Sequence, residues 1–128
     1  NGGITTTDQM KDHLKKVDGV MIGRAAYHTP YLLADVEREI FNNDDVPTRQ
    51  EVIEQLLPYI REELKKGTRL NQIMRHTLGL FHGQTGSSFW KRYLSENMCV
   101  RDADVKKIDH IMDKIKLNNV DTSVGQSA

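Results

Sequence analysis

Two glycine-containing segments near the start of the chain have the residue types of a phosphate-binding site. Gly2 and Gly3 precede a predicted helix, and Gly23 is followed directly by Arg24. Glycine lets backbone N–H groups approach an anion closely, a helix start adds a partial positive charge, and arginine donates paired hydrogen bonds to phosphate. The pattern therefore indicates a phosphate cradle. From spacing alone, the alternative that these glycines only form tight turns stays open.

A block of basic residues is the second candidate for binding. Residues 64–95 carry a net charge of +6 and contain no aspartate or glutamate, although the whole chain is neutral. A positive block of this kind can bind a polyanion. Lys65 and Lys66 are interpreted as a solvated helix end, where positive charge favours the helix dipole. The stronger candidates are Arg69, Arg75, Lys91 and Arg92.

The cysteine and the histidines do not form a metal-binding pattern. Cys99 is the single cysteine, so it has no partner for a disulfide or for a paired-cysteine zinc site. We interpret it as a partly buried small hydrophobic residue. His76 and His82 lie six residues apart, whereas two ligands on one helix face need a spacing of three or four. We therefore predict no metal site.

The glycine segments flank a predicted helix and a predicted strand. Thr6 and Gln9 have the spacing of a capping box, which predicts a helix over residues 7–16. The apolar run over residues 17–23 ends at a glycine and predicts a buried strand, and the pattern from Pro30 onward predicts a second helix. Such an order beside a phosphate cradle fits the end of a (β/α)8 barrel, where the cradle commonly follows the last two strands.

A linker separates this part of the chain from a helical region. Residues 42–47 are rich in asparagine and aspartate, which indicates a boundary. A capping box at Thr48 and Glu51 begins a long apolar-faced helix that ends near Gly67. We expect Pro58 to kink that helix.

Three further helices are predicted after the first. Apolar residues at helical spacing predict helices over about 70–82 and 87–98, with glycines between them, and Asp102 is a predicted cap for the last helix. Residues 48–117 thus contain four predicted helices, and their short connections favour an antiparallel bundle-like packing. The polar residues from 119 onward are predicted to be disordered.

Trp90 has two possible roles. An aromatic ring can stack on an RNA base. Phe89, Tyr93 and Leu94 recur with it at helical spacing, which is typical of a buried helix face. We therefore predict that Trp90 lies in the core.

Length and composition indicate one ordinary domain. A chain of 128 residues with 38% hydrophobic residues can bury a core and should fold. No apolar run reaches the roughly 18 residues of a membrane-spanning helix, and the amino terminus lacks the pattern of a signal peptide. We therefore expect a soluble, cytoplasmic protein. The first residue is Asn1 rather than methionine, so we expect a processed chain or a fragment.

Four sequence blocks resemble one enzyme family. They are NGGI at 1–4, DGVMIGRAAY at 18–27, RH-x-LGLF-x-G at 75–83 and WKRYLSEN at 90–97. The glycine-containing blocks fit many flavin barrels, but the later blocks are particular to the bacterial tRNA-dihydrouridine synthases, most closely the A-type subfamily. The resemblance covers residues 1 to about 116.

The resemblance implies a flavin enzyme that acts on tRNA. The family reduces the C5–C6 double bond of uridines in tRNA, with FMN as the hydride carrier and NADPH as the reductant. Its catalytic cysteine lies on an earlier barrel loop and has no counterpart here, so we expect no catalytic residue in this chain and no activity of the chain alone. The residues that correspond to the flavin phosphate site are Asn1, Gly2, Gly3, Gly23 and Arg24. The residues expected to bind tRNA are Arg69, Arg75, His76, Lys91 and Arg92.

The predicted fold class is predominantly α. It consists of a terminal α/β remnant of a (β/α)8 flavin barrel followed by an all-α, four-helix bundle-like domain. Residues 1–45 are assigned to the end of the FMN-binding barrel, residues 46–118 to a helical tRNA-binding domain, and residues 119–128 to a disordered polar tail. We expect a monomer that binds neither a metal nor a membrane.

Two other interpretations stay open. The chain could be a free-standing helical module that binds nucleic acid or protein and has no catalytic activity. It could also belong to a different FMN barrel whose helical extension mediates oligomerisation. The length of the complete reading frame distinguishes the first alternative, and tRNA binding compared with duplex DNA binding distinguishes the second.

Overall fold

The described part of the protein is predominantly helical, as predicted. A computed structural model of the chain describes residues 2–100 and 103–114, and within these ranges it contains no β-strand. The helices are α1 (Thr7–Leu14), α2 (Arg24–His28), α3 (Leu32–Glu39), α4 (Arg49–Lys65), α5 (Leu70–Met74), a 3-10 turn at Arg75–Thr77, α6 (Ser87–Asn97) and α7 over 105–114. No helix in these ranges has the length and apolar character needed to cross a membrane.

The first helix is set by local hydrogen bonds that the sequence predicts. The Thr6 hydroxyl accepts from the Gln9 N–H at 3.2 Å, and the Gln9 side-chain oxygen accepts from the Thr6 N–H at 3.2 Å. This capping box satisfies N–H groups that a helix start otherwise leaves without partners. α1 packs against α3, and Met10 of α1 is 1% exposed. The predicted helix is confirmed, although it ends at Leu14.

Residues 17–23, predicted as a buried strand, form no strand, and that prediction is wrong. Val17 is 50% exposed and Met21 is 58% exposed. A strand needs a neighbouring strand to pair its backbone hydrogen bonds, and residues 2–100 and 103–114 contain no strand that could do so. A helix that we did not predict, α2, begins directly after this segment.

The first long helix follows the prediction, and the domain boundary predicted at residues 42–47 stays a prediction. Residues 42–48 are not helical, and the capping box forms between Thr48 and Glu51 with hydrogen bonds of 3.2 and 3.1 Å. The helix places Ile53 and Ile60 in the core, where both are fully buried. Pro58 lies inside α4, and its predicted kink stays a prediction.

The helix predicted over 70–82 is shorter in the structure. α5 ends at Met74 and continues only as a 3-10 turn. The carbonyl oxygen of Thr77 accepts from the N–H of Leu80 at 3.0 Å and from the indole N–H of Trp90 at 2.9 Å. Because these two donors occupy the carbonyl that a continuing helix would use, the chain turns after the 3-10 segment.

One close backbone approach joins the first part of the chain to the helical region. A Cβ atom built on Gly79 would overlap the carbonyl oxygen of His28, the last residue of α2. Only glycine permits the two backbones to lie this close. The turn after the 3-10 segment therefore packs directly against the end of α2.

Arg49 makes a second connection between these parts. Its guanidinium lies 3.9 Å from the centroid of the Tyr31 ring, and its Nε–H donates to the carbonyl oxygen of Leu80 at 2.9 Å. The Tyr31 hydroxyl in turn donates to the carbonyl oxygen of Pro47 at 2.7 Å. Burial lowers the pKa of Arg49 from its ordinary value, against the raising effect of Tyr31 and Asp35. The linker is thus held between α3, α4 and the turn at Leu80.

One hydrophobic cluster joins the helices of residues 49–114. Trp90 is a fully buried member of it, and its ring centroid lies 4.9 Å from that of Phe81. The prediction that Trp90 belongs to the core is confirmed. Other buried members of the cluster are Ile53, Ile60, Leu70, Met74, Leu94, Ile108 and Ile111. The antiparallel, bundle-like arrangement stays a prediction, and Asp102 and the tail over 119–128 lie outside the described residues.

Cys99 is exposed, so the prediction of partial burial is wrong. It lies in the bend that follows α6, next to Met98, which is only 2% exposed. Because Met98 supplies the buried side chain at this point, Cys99 is directed away from the core.

Candidate functional site

A cleft of about 790 Å³ brings together the residues of the predicted phosphate cradle. We call it the glycine cleft, and it is lined by Gly2 and Gly3 from one segment and by Gly23 and Arg24 from another. The intervening α1 separates these segments in the sequence. Asn1, the fifth predicted residue, lies outside the described residues.

The backbone at the first two glycines has a conformation that favours glycine. Gly2 and Gly3 have φ angles of 75° and 76°, and no atom lies within 4 Å of a Cβ built at either position. The space beside the backbone is therefore open to the cleft. A side chain at either position would fill that space and strain the chain.

The other wall of the glycine cleft begins a helix. Gly23 is the N-cap of α2, and Arg24 is its first residue, with an exposed side chain. A guanidinium donates several hydrogen bonds to phosphate or carboxylate oxygens. The cleft thus combines accessible backbone with one exposed guanidinium donor.

A second cleft of about 540 Å³ adjoins the first. We call it the basic cleft because Arg75, His76 and Lys91 line it. The two clefts share three residues, which are His28, Thr29 and His82. Three of the five residues predicted to bind RNA therefore lie together, directly beside the predicted phosphate cradle.

The remaining two RNA-binding candidates lie elsewhere. Arg69 precedes α5 and Arg92 lies on α6; both are exposed and neither lines either cleft. Consecutive residues of a helix point in directions about 100° apart, which separates Arg92 from Lys91. The structure thus divides a basic block that is continuous in the sequence.

His76 forms a link between the helical region and α2. Its Nδ1 lies 3.0 Å from the hydroxyl oxygen of Tyr27, and the Nε–H of Arg75 donates to its Nε2 at 3.3 Å. We expected His76 to contact RNA or a neighbouring helix end, and the second of these is what it does. Tyr27 was not among the predicted site residues, although it closes the block of residues 18–27.

Within the described residues, some lysines and arginines of the basic block form ion pairs and others do not. Lys65 lies 2.9 Å from Glu62, and Lys66 lies 2.9 Å from Glu63. Hydrogen bonds from Lys66 and Thr68 lower the pKa of Glu63. The hydrogen bond between Lys66 and Glu63 also raises the pKa of Lys66. These two lysines form the helix end that we predicted. The basic side chains of the block that have no ion pair within the described residues are Arg69, Arg75, Lys91 and Arg92.

Comparison with known proteins identifies the family. The sequence model of the family described as dihydrouridine synthase (Dus) matches residues 1–116. The chain belongs to the dihydrouridine synthase family. The resemblance stated from the sequence blocks is confirmed.

Curated relatives carry one shared name, tRNA-dihydrouridine(20/20a) synthase. The protein of Synechocystis sp. is 53% identical over 104 residues, which cover 80% of this chain and 31% of that protein. The protein of Haemophilus ducreyi is 44% identical over 113 residues, covering 88% and 35%. The protein of Escherichia coli K12 is 46% identical over 113 residues, covering 88% and 33%. The chain thus spans about a third of the length of the curated relatives it matches.

Neither cleft contains a metal-binding arrangement. Over residues 2–100 and 103–114, no three histidine, cysteine, aspartate or glutamate side chains lie close enough together to hold a metal ion. The chemistry that the two clefts offer is the binding of anions through backbone, guanidinium, ammonium and imidazole groups.

Proposed function

We propose that the chain is the carboxy-terminal portion of a tRNA-dihydrouridine synthase, an oxidoreductase that reduces uridine in tRNA to 5,6-dihydrouridine with FMN and NADPH. Family membership over residues 1–116 supports the type of enzyme. The observation that carries the role of this chain is the glycine cleft, because the fold brings two separate glycine segments and Arg24 to one surface. Family membership also favours this enzyme over a free-standing helical module and over an unrelated flavin barrel.

The residues of the glycine cleft fit the phosphate of FMN. That phosphate is a compact anion that needs several donors, and backbone N–H groups at glycines with open space beside them can approach it closely. Gly2 and Gly3, which have this open space, and Gly23, which lines the same cleft, would supply the backbone, and Arg24 would neutralise charge with a guanidinium. Asn1 is proposed to shape the same loop. FMN, when bound, supplies the hydride chemistry of the reaction.

The chain would contribute binding groups and no catalytic group. Cys99 is its single cysteine, lies after α6 and lines neither cleft. It is therefore badly placed to protonate a uracil ring at the flavin. We propose that the chain alone is inactive.

The helical region would bind tRNA. The exposed side chains of Arg69, Arg75, Lys91 and Arg92 have no ion pair with a carboxylate within the described residues, so they are available to phosphate groups. We propose residues 1–45 as the end of the FMN barrel and 46–118 as the tRNA-binding domain. The residues proposed to serve tRNA binding, by direct contact or by positioning a contact, are Arg69, Arg75, His76, Lys91 and Arg92. A monomeric state and a cytoplasmic location stay predictions.

The decisive experiment uses the complete protein that contains this chain. Purified protein with NADPH should convert uridine to dihydrouridine in an unmodified tRNA transcript, as measured by mass spectrometry of the digested RNA. Absence of dihydrouridine with flavin-loaded protein would contradict the proposed function.

The same protein tests the phosphate site. Arg24→Ala should lower the FMN content after gel filtration, because the charge that balances the phosphate is lost. Arg69→Ala removes an identical side chain that lies outside both clefts, and it should keep the normal flavin content. Equal flavin content in the two variants would refute the role of Arg24.

A further inference from the structure

The hydrogen bonds around His76 define where its proton lies. The Nε–H of Arg75 donates to Nε2 of His76, so Nε2 is the unprotonated nitrogen. A neutral imidazole then carries its proton on Nδ1, which lies 3.0 Å from the Tyr27 hydroxyl oxygen. Nδ1–H therefore donates to Tyr27, and the hydroxyl of Tyr27 acts as the acceptor.

The proton of the Tyr27 hydroxyl is consequently free for another acceptor. Tyr27 is 54% exposed and lines the basic cleft, so an acceptor placed in the cleft can reach it. The Arg75 guanidinium has also used only its Nε–H, which leaves the N–H groups on its two Nη atoms. The network around His76 thus holds two unused donors at one opening.

The charge around the basic cleft is of one sign. Lys91 supplies an ammonium group to the same opening, and no aspartate or glutamate is among the described residues that line it. A hydroxyl, a guanidinium and an ammonium group together match the oxygen atoms of a phosphate. A purely apolar ligand would leave these donors without partners.

We propose that the basic cleft binds one phosphodiester of the tRNA backbone through the Tyr27 hydroxyl, Arg75 and Lys91. His76 is a positioning residue that holds Tyr27 and Arg75 in place and does not contact the RNA. This proposal rests on the proposed function and divides its five RNA-binding residues into groups with different roles. Because the clefts share His28, Thr29 and His82, the RNA strand passes directly beside the proposed flavin phosphate.

The first test is the removal of a single hydroxyl group. In the 128-residue chain, Tyr27→Phe keeps the ring and removes only the donor. Loss of one hydrogen bond to a charged acceptor should weaken binding of an unmodified tRNA transcript by about ten- to a hundredfold. Because no charge is removed, the slope of log K against log salt should not change. Tyr59→Phe is the matched control, since Tyr59 is also 54% exposed and lines neither cleft.

Removal of a charged donor should change the salt dependence of tRNA binding as well as the affinity. Lys91→Gln should weaken tRNA binding and reduce the magnitude of the salt slope by about 0.7 to 0.9, the change expected for one lost phosphate contact. Arg69→Gln removes one positive charge in the same way, but at a position outside both clefts. When Arg69→Gln is combined with Tyr27→Phe, the loss of tRNA affinity caused by Tyr27→Phe should be the same as in the wild-type background.

The role of His76 is tested through coupling. His76→Ala should weaken tRNA binding, and adding Tyr27→Phe to it should cause little further loss, because the hydroxyl is already misplaced. His76→Asn can offer its amide N–H to Tyr27 and should recover part of the affinity. Purely structural damage would give neither the coupling nor the recovery, and each variant is first compared with wild type by circular dichroism.

The outcomes separate this inference from the proposed function. If the wild-type chain does not bind tRNA, the tRNA-binding role is refuted and this inference with it. If wild type binds tRNA but Tyr27→Phe behaves as Tyr59→Phe does, the inference is wrong and the proposed function stands. If Tyr27→Phe weakens binding of NADPH and not of tRNA, the cleft binds the phosphate of a dinucleotide, and the inference is again overturned.

Discussion

Gly79 is the position at which a single methyl group should do most damage to the arrangement of the two clefts. In Gly79→Ala the new Cβ would overlap the carbonyl oxygen of His28, while Pro30 Cδ at 3.5 Å is an ordinary contact. The overlapped atoms belong to the backbone, so no side chain can rotate away. Either the turn after the 3-10 segment or the end of α2 must move.

The expected size of the effect follows from this overlap. Forcing an extra methyl group into a packed contact typically costs about 1 to 3 kcal/mol. Substitutions at two other glycines serve as comparisons for that loss of stability. Gly67→Ala meets no atom within 4 Å but has a φ of 92°, so it should cost about 1 to 2 kcal/mol through backbone strain alone. Gly19→Ala meets no atom and has no positive φ, so it should be neutral or stabilise by up to about 1 kcal/mol.

The assay is urea unfolding of the three variants and wild type, followed by the fluorescence of Trp90. This residue is the single tryptophan and is fully buried, so its emission reports the helical core. Hydrogen exchange of the α2 amides is measured in parallel, because the strain can also be relieved by loosening that helix. If Gly79→Ala matches Gly19→Ala in both measurements, the close approach to His28 does not exist in solution.

Three further predictions concern the proposed function. The 128-residue chain alone should not retain FMN through gel filtration, since it supplies only the phosphate part of the site; a stoichiometric yellow complex would contradict this. Cys99→Ser in the complete enzyme should leave dihydrouridine formation within a few-fold of normal, and loss of turnover in a flavin-loaded variant would show that the helical region is catalytic. The slope of log K for tRNA against log salt should be about −2 to −3.5 for the chain, and Lys91→Glu with Arg92→Glu should flatten it. An equal slope and affinity in this double variant would move the RNA surface elsewhere.

Local interactions explain which elements could be predicted from the sequence. The capping boxes at Thr6 and Thr48 involve residues three positions apart, so their spacing is visible in the chain itself. The non-helical segment before Thr48 and the burial of Trp90 follow from composition and periodicity in the same way. The family could also be predicted from the sequence, because its later sequence blocks are specific enough to identify it.

The wrong predictions depend on partners that are distant in the sequence. The apolar run over 17–23 has the composition of a strand, but a strand exists only when a second one pairs with it. The helix predicted to reach residue 82 is shorter, and the carbonyl of Thr77 accepts instead from the indole N–H of Trp90, 13 residues further along the chain. Periodicity alone contains neither contact.

The candidate site likewise has features that the sequence determined and features that only the fold determined. Sequence alone determined the residue types for anion binding: two glycine segments, an arginine, and an acid-free basic block. Tertiary structure decided that the glycine segments share a cleft, that Arg75 and Lys91 adjoin it while Arg69 and Arg92 do not, and that Tyr27 meets His76. The reason is that a cleft is made by segments far apart in the chain, and only the folded backbone sets the distances between them.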